Sequence, residues 1–147
     1  MDGETMMRMV EVVGVIQLSA TMAMLGVIWV VQLCVYPRFV DIDPEKFIGA
    51  HQRHCAGIGI VVVPLMIAEL LSAVVLVWPG NYGSLQWAVL ILTLATWGAT
   101  AFIQAPCHTR LLLGFDAEKC RSLTRGNWIR TGLWTVKGIL VFVQACH

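Results

Sequence analysis

Four stretches of this chain are long and apolar enough to cross a lipid bilayer, and little else can be built from them. They run from about Val12 to Tyr36, Ala56 to Trp78, Leu85 to Gln104 and Trp128 to Ala145. A helix needs ~20 mostly apolar residues to span the hydrocarbon core. None of the four alternates polar and apolar residues with period two, which argues for helices over a barrel. Of the 147 residues, 58% are hydrophobic and only 13% charged, whereas soluble domains are about a quarter charged. The expected fold is all-α, a four-transmembrane-helix bundle forming one integral membrane domain over residues 1–147. "PGNYGS" at Pro79–Ser84 reads as a turn between two antiparallel helices.

The basic residues give an orientation. Arg38, Lys46 and Arg53 lie between the first two spans, and Arg110, Lys119, Arg121 and Arg125 between the last two, with Arg130 just beyond. The other side offers only Arg8. Positive charge stays cytoplasmic, so the expectation is a multi-pass protein of the cell membrane with both termini extracytoplasmic. The start of the chain lacks the basic region and cleavage site of a signal peptide, so the first span is expected to be retained. Cys34, Cys55, Cys107 and Cys120 then sit at or near the reducing face and Cys146 on the other. Without a C-x-x-C pair they read as small buried hydrophobes.

The chain also repeats itself. "DPEKF" at Asp43–Phe47 returns as "DAEKC" at Asp116–Cys120, 73 residues later. Asp43 and Asp116 suit helix N-caps and Pro44 a first helical position. Glu45 and Glu118 complement the helix dipole. Two repeated helical hairpins follow, about 12–78 and about 85–145, each with a short cytoplasmic helix before the second and fourth spans. Both copies run the same way, so their pseudo-two-fold axis lies along the membrane normal.

Superposing the copies gathers the chemistry. Tyr36, His51, His54, His108 and Asn127 fall at one mouth of the bundle. Phe47, Ile48, His51, His54 and Cys55 share one helical face. His51, His54 and His108 are candidate metal ligands and acid–base groups, with a transition metal or haem as the cofactors they could hold. Histidines bonded to loop carbonyls would look the same in sequence. Deeper in the spans stand Glu69 and Lys137, whose depths differ by about 7.5 Å at ~1.5 Å per residue. Either charge facing lipid is costly, so the two are expected to point inward and pair, for function or only to fix helix register. Pro64 is a candidate bend. Trp78, Trp87 and Trp128 read as interface anchors, and Trp29, Trp97 and Trp134 as core. The small residues at 98–100 and Gly132 read as points of close helix approach.

"YPRF" (36–39), "HQRH" (51–54), Pro64 with Glu69, "QAPCHTRLLLGFD" (104–116) and "NWIRTGLWTVKG" (127–138) together resemble a group of small four-helix bacterial integral membrane proteins. More remotely the plan is similar to the anthrone oxygenase-like membrane family. "PCHTRL" carries His108 where that family's pattern has asparagine. The resemblance implies oxygenation of a lipophilic aromatic. Two classes of function follow. One is an oxidoreductase or oxygenase acting on a lipophilic aromatic or quinone-like molecule, with catalytic candidates His51, His54, His108, Glu69, Asn127 and Arg130 and with Tyr36 and Lys137 binding the cofactor or substrate. The other is a non-catalytic accessory subunit of a larger membrane complex. The partners expected are the bilayer, a lipophilic small molecule and further copies or subunits. A net charge of +1 gives no support to nucleic-acid binding.

Overall fold

The computed structural model describes residues 2–78 and 83–146. All regular structure among them is helical. Helix α1 (Gly3–Val30) passes through a π turn, Val31–Val35, into a 3₁₀ turn, Tyr36–Asp41. Helix α2 (Pro44–Val77) returns. Helix α3 (Ser84–Ala99) passes through a second π turn, Thr100–Gln104, into the short α4 (Ala105–Leu111), and α5 (Ala117–Ala145) closes the chain. These make four helical rods, packed side by side with α1 on α2 and α5, and α3 on both α2 and α5. Most of the turn expected at Pro79–Ser84 lies outside the described residues.

The termini follow from local chemistry. Asp2, Asp43 and Asp116 each cap the helix that follows, accepting from backbone N–H groups of the first turn. The two π turns sit directly before prolines. The Tyr36 N–H donates to the Val31 carbonyl and the Ala105 N–H to the Thr100 carbonyl, one residue further back than in an α-helix. Pro37 and Pro106 follow at once, and neither can donate. A proline also crowds the carbonyl four residues earlier. Widening the preceding turn relieves that clash and turns the following side chains to a new face.

The short helices expected before the second and fourth spans are not separate. Each is continuous with the long helix that follows, so that α2 is 34 residues long and α5 is 29. No residue between Pro44 and Ala56, or between Ala117 and Trp128, stops a helix once its aspartate has started it. Helix α2 also runs through Pro64 without interruption. Nor do the small residues act where expected. A Cβ at Gly98 or Gly132 would meet nothing within 4 Å. Close approach occurs instead at Gly126 and Gly138, where an added Cβ would lie 3.2 Å from Ile103 Cγ2 and 3.0 Å from Leu25 Cδ2.

Three rods, 3–41, 44–77 and 84–111, are long and apolar enough to cross a membrane by length and composition. The fourth is long enough but falls outside that class, because α5 carries the polar stripe of the bundle. Its buried residues are Cys120, Leu123, Asn127, Arg130, Thr131, Trp134, Lys137, Gly138 and Val141. They recur every three or four positions, the seam of a helix held against its neighbours. The outer surface is the reverse. Ile60 is 77% exposed, Phe102 82% and Leu113 84%. Buried polar side chains share the interior with apolar ones, while large apolar side chains cover much of the outside.

Asp116 offers a test of the helix starts. Its carboxylate accepts from the Lys119 N–H at 3.0 Å and the Glu118 N–H at 2.9 Å and pairs with the Lys119 ammonium. The Lys119 hydrogen bonds, and then the Glu118 one, hold its pKa below the ordinary value of 3.8. A lowered pKa stabilises the fold above the unfolded value, and that stabilisation is lost as pH falls through the folded value. Stability in detergent, followed by circular dichroism, should drop below about pH 4. Asp116→Asn, which still accepts but does not ionise, should flatten that part of the profile.

Candidate functional site

The first π turn brings Tyr36 inward, and the second brings His108 to meet it. The Tyr36 hydroxyl and His108 Nε2 form a hydrogen bond of 2.9 Å. On its other side His108 Nδ1 lies 3.3 Å from His51 Nε2. Cys55, one turn beyond His51 on α2, completes the group. Its Sγ is 3.6 Å from His51 Nε2 and 3.6 Å from His108 Nδ1. The ring of His51 stacks on Phe47, with centroids 5.5 Å apart and planes within 11°. Phe39 closes against His51 and His54 edge to face. Aromatic walls therefore hold the His51 and His54 rings in place.

A cavity of about 400 Å³ opens from this cluster into the bundle. All four rods line it. Val27, Ile28, Val31, Ile58 and Val62 make its walls, and Tyr36, Cys55, His108, Gln104 and Arg130 bring polar atoms to it. Gln104 is buried, and neither its Oε1 nor its Nε2 has a hydrogen-bond partner; Arg130 Nε lacks one as well. Arg130 lies beside the Tyr36 hydroxyl and donates to Asn127 Oδ1 at 3.2 Å. Asn127 Nδ2 in turn donates to Gln32 Oε1 at 2.9 Å, and Gln32 Nε2 to the Thr124 carbonyl at 3.2 Å. Among the described residues no carboxylate pairs with Arg130. A buried guanidinium without a counter-ion strongly favours an anionic or carbonyl oxygen beside it.

A second polar group lies further along α5. Lys137 Nζ is 2.8 Å from Glu69 Oε1, with side chains 0% and 1% exposed. Trp134 Nε1 donates to both oxygens of Glu69, at 3.2 and 3.1 Å. The Trp134 ring lies between Lys137 Nζ, 5.1 Å from its centroid, and the Arg130 guanidinium, 5.2 Å away. The carboxylate is thus met by an ammonium and an indole N–H, and both cations lie against the indole. Ser72, one turn beyond Glu69, donates to Gln17 Oε1 of α1.

Of the residues singled out from sequence, His51, His108 and Tyr36 meet directly. His54 stands aside. Its ring packs edge to face on Tyr36 and Phe39, at 5.9 and 5.1 Å, and its Nε2 is buried without a partner. Asn127 serves the hydrogen-bond chain behind Arg130. Glu69 and Lys137 pair with each other and do not line the cavity, so Lys137 is spent on Glu69 and does not face the space where a cofactor or substrate would lie. Gln32 and Gln104 escaped the sequence reading, whereas Cys55 falls on the histidine face there but reads as a small buried hydrophobe. The spacing of Cys55 from His51, one helical turn, was the available signal. Comparison with family models, with curated proteins and with solved structures finds no match for the chain.

Removing one partner of a buried ion pair leaves an uncompensated charge and costs about 3–5 kcal/mol. Glu69→Ala and Lys137→Ala should each destabilise the protein by about that amount in detergent unfolding. The double variant should lose clearly less than the sum. Additive losses would mean that the two charges are stabilised independently.

Proposed function

We propose that this is a four-span membrane protein that binds a lipophilic aromatic molecule in the 400 Å³ cavity and oxidises it. The observation that carries the reading is the cavity itself, apolar along its walls and polar at one end, where Arg130 and Gln104 hold unpartnered buried donors and acceptors. A quinone-like or phenolic ring fits that division, with its ring among the valines and isoleucines and its oxygen against Arg130, Gln104 and Tyr36. The remote resemblance to the anthrone oxygenase-like family supports the same class. As an oxidase, the protein would pass two electrons and two protons from a hydroquinone to dioxygen, giving quinone and hydrogen peroxide. The Tyr36 hydroxyl, hydrogen-bonded to His108, offers a polar contact for the substrate oxygen at the cavity wall.

The membrane reading rests on the three long apolar helices and the outward apolar surface. Helix α5 crosses with them, its charges turned inward. The repeat of two hairpins is supported by the order shared in both halves, a π turn, a proline and an aspartate-capped helix. The basic loops support an orientation with that end of the bundle in the cytoplasm and both termini outside.

The test uses protein purified in mild detergent and three probes: naphthalene, 1,4-naphthoquinone and its acidic 2-hydroxy derivative. The hydroxyquinone should bind at least tenfold more tightly than naphthalene. Arg130→Met should remove that preference and leave naphthalene binding unchanged, whereas Val62→Trp, which fills the cavity, should weaken all three. Oxygen uptake with the corresponding hydroquinone should fall at least about 100-fold in His108→Asn, which removes the imidazole at the polar end of the cavity. Equal binding of naphthalene and hydroxyquinone, or none of either, would overturn the proposal. Protein that binds neither and copurifies with a partner subunit would fit the accessory role instead.

A further inference from the structure

The geometry points to a metal site made by His51 Nε2, Cys55 Sγ and His108 Nδ1, with an open coordination position facing the cavity. The inference deepens the reading above by naming its reaction centre, and it stands on separate distances.

The three donor atoms form a triangle with edges of 3.3, 3.6 and 3.6 Å. A tetrahedral ion holds nitrogen at ~2.0–2.1 Å and sulfur at ~2.3 Å. Tetrahedral angles then set the nitrogens about 3.3 Å apart and each nitrogen about 3.5 Å from the sulfur. The observed triangle matches one face of that tetrahedron with almost no movement. It is also the group of histidine, cysteine and acidic side chains that converges among the described residues. Hydrogen bonding alone accounts poorly for it, because two imidazole nitrogens and a thiol offer each other few good donors, and their contacts are long for such bonds.

The surroundings favour an ion as well. With Nδ1 of His108 on the metal, its Nε2–H donates to the Tyr36 hydroxyl, the outer hydrogen bond that fixes a ligating imidazole. Stacking on Phe47 holds the His51 ring at its angle. Cys55 and His108 line the cavity, so the fourth position opens toward bound substrate or dioxygen, as in catalytic rather than structural sites. Two imidazoles and one thiolate suit Zn(II) or copper and not Mg(II) or Ca(II); copper could carry electrons from substrate to dioxygen, whereas Zn(II), which has no redox chemistry, could only polarise and orient the substrate oxygen. Binding forms three metal–ligand bonds and releases the one thiol proton of Cys55 to solvent. His54 lies beside the site, its ring 6.2 Å from that of His108, but its nitrogens are outside the converging donor set.

Full-length protein in detergent, stripped with chelator and reloaded with Co(II), Zn(II) or Cu(I), tests this by metal analysis and absorption. One equivalent should bind. The Co(II) form should show tetrahedral d–d bands and a thiolate-to-cobalt charge-transfer band. Cys55→Ser should abolish the charge-transfer band and weaken affinity by about 100-fold or more, and Tyr36→Phe should weaken it about 10–100-fold. His54→Ala should leave stoichiometry and spectrum unchanged, and Cys55→Ala with retained helicity and thermal unfolding guards against loss through misfolding. Metal bound equally by wild type and Cys55→Ser, a charge-transfer band that survives in Cys55→Ser, or dependence on His54 in place of Cys55 would overturn the site. Hydroxyquinone binding that persists in metal-free protein would leave the cavity reading standing, so the two fail separately.

Discussion

One ammonium–carboxylate contact sets the terms for the rest of this bundle. Glu69 and Lys137 meet at 2.8 Å with almost no exposure. Two charges in an apolar interior tolerate only a narrow range of positions relative to each other. Their contact therefore fixes the rotation and the axial register of α2 against α5. Trp134 tightens the constraint by donating to the same carboxylate. With α5 held in that rotation, Asn127 and Arg130, two to three turns earlier on the same stripe, also face inward. The cavity inherits its polar end from this alignment.

The prolines do the corresponding work on the other rods. Pro37 and Pro106 each follow a π turn, and each π turn redirects the residues around it. Tyr36 and His108 meet for this reason. Gln32 and Gln104, in the same two turns, are both buried. Gln32 is absorbed into the chain through Asn127 to Arg130, while Gln104 keeps both amide atoms free at the cavity wall. Two similar devices thus yield one structural amide and one that is available to a ligand.

Much of this was legible in the residues. Charges inside apolar segments must pair, so Glu69 and Lys137 identified each other, and the depth difference was within the reach of a lysine side chain. Asp43 and Asp116 announced helix starts because an aspartate before a helical run has few other uses. Tyr36 and His108 were brought together by aligning the repeats. Cys55 shared the histidine face but looked like any small core side chain, and only the position of His108 reveals that the Cys55 thiol meets both imidazoles while the His54 ring packs beside them. Gln104 was hidden because a neutral amide carries no pairing requirement visible in sequence. The continuity of α2 and α5 was missed because a membrane boundary was taken as a helix boundary, and a helix stops for chemical reasons, not at a surface. The polar stripe of α5 is what sets the fourth segment apart from the three apolar helices.

The inversion of polar and apolar surface is the claim on which the site depends, and spin-label accessibility in liposomes tests it most directly. Nitroxides at Ile60, Leu71 and Ile139, all on the outer surface of the bundle, should relax readily with dissolved oxygen and be shielded from a water-soluble nickel chelate. Labels at those positions that the nickel chelate reaches as freely as oxygen does would contradict it, because a surface bathed in water could not be the lipid-facing side of this fold.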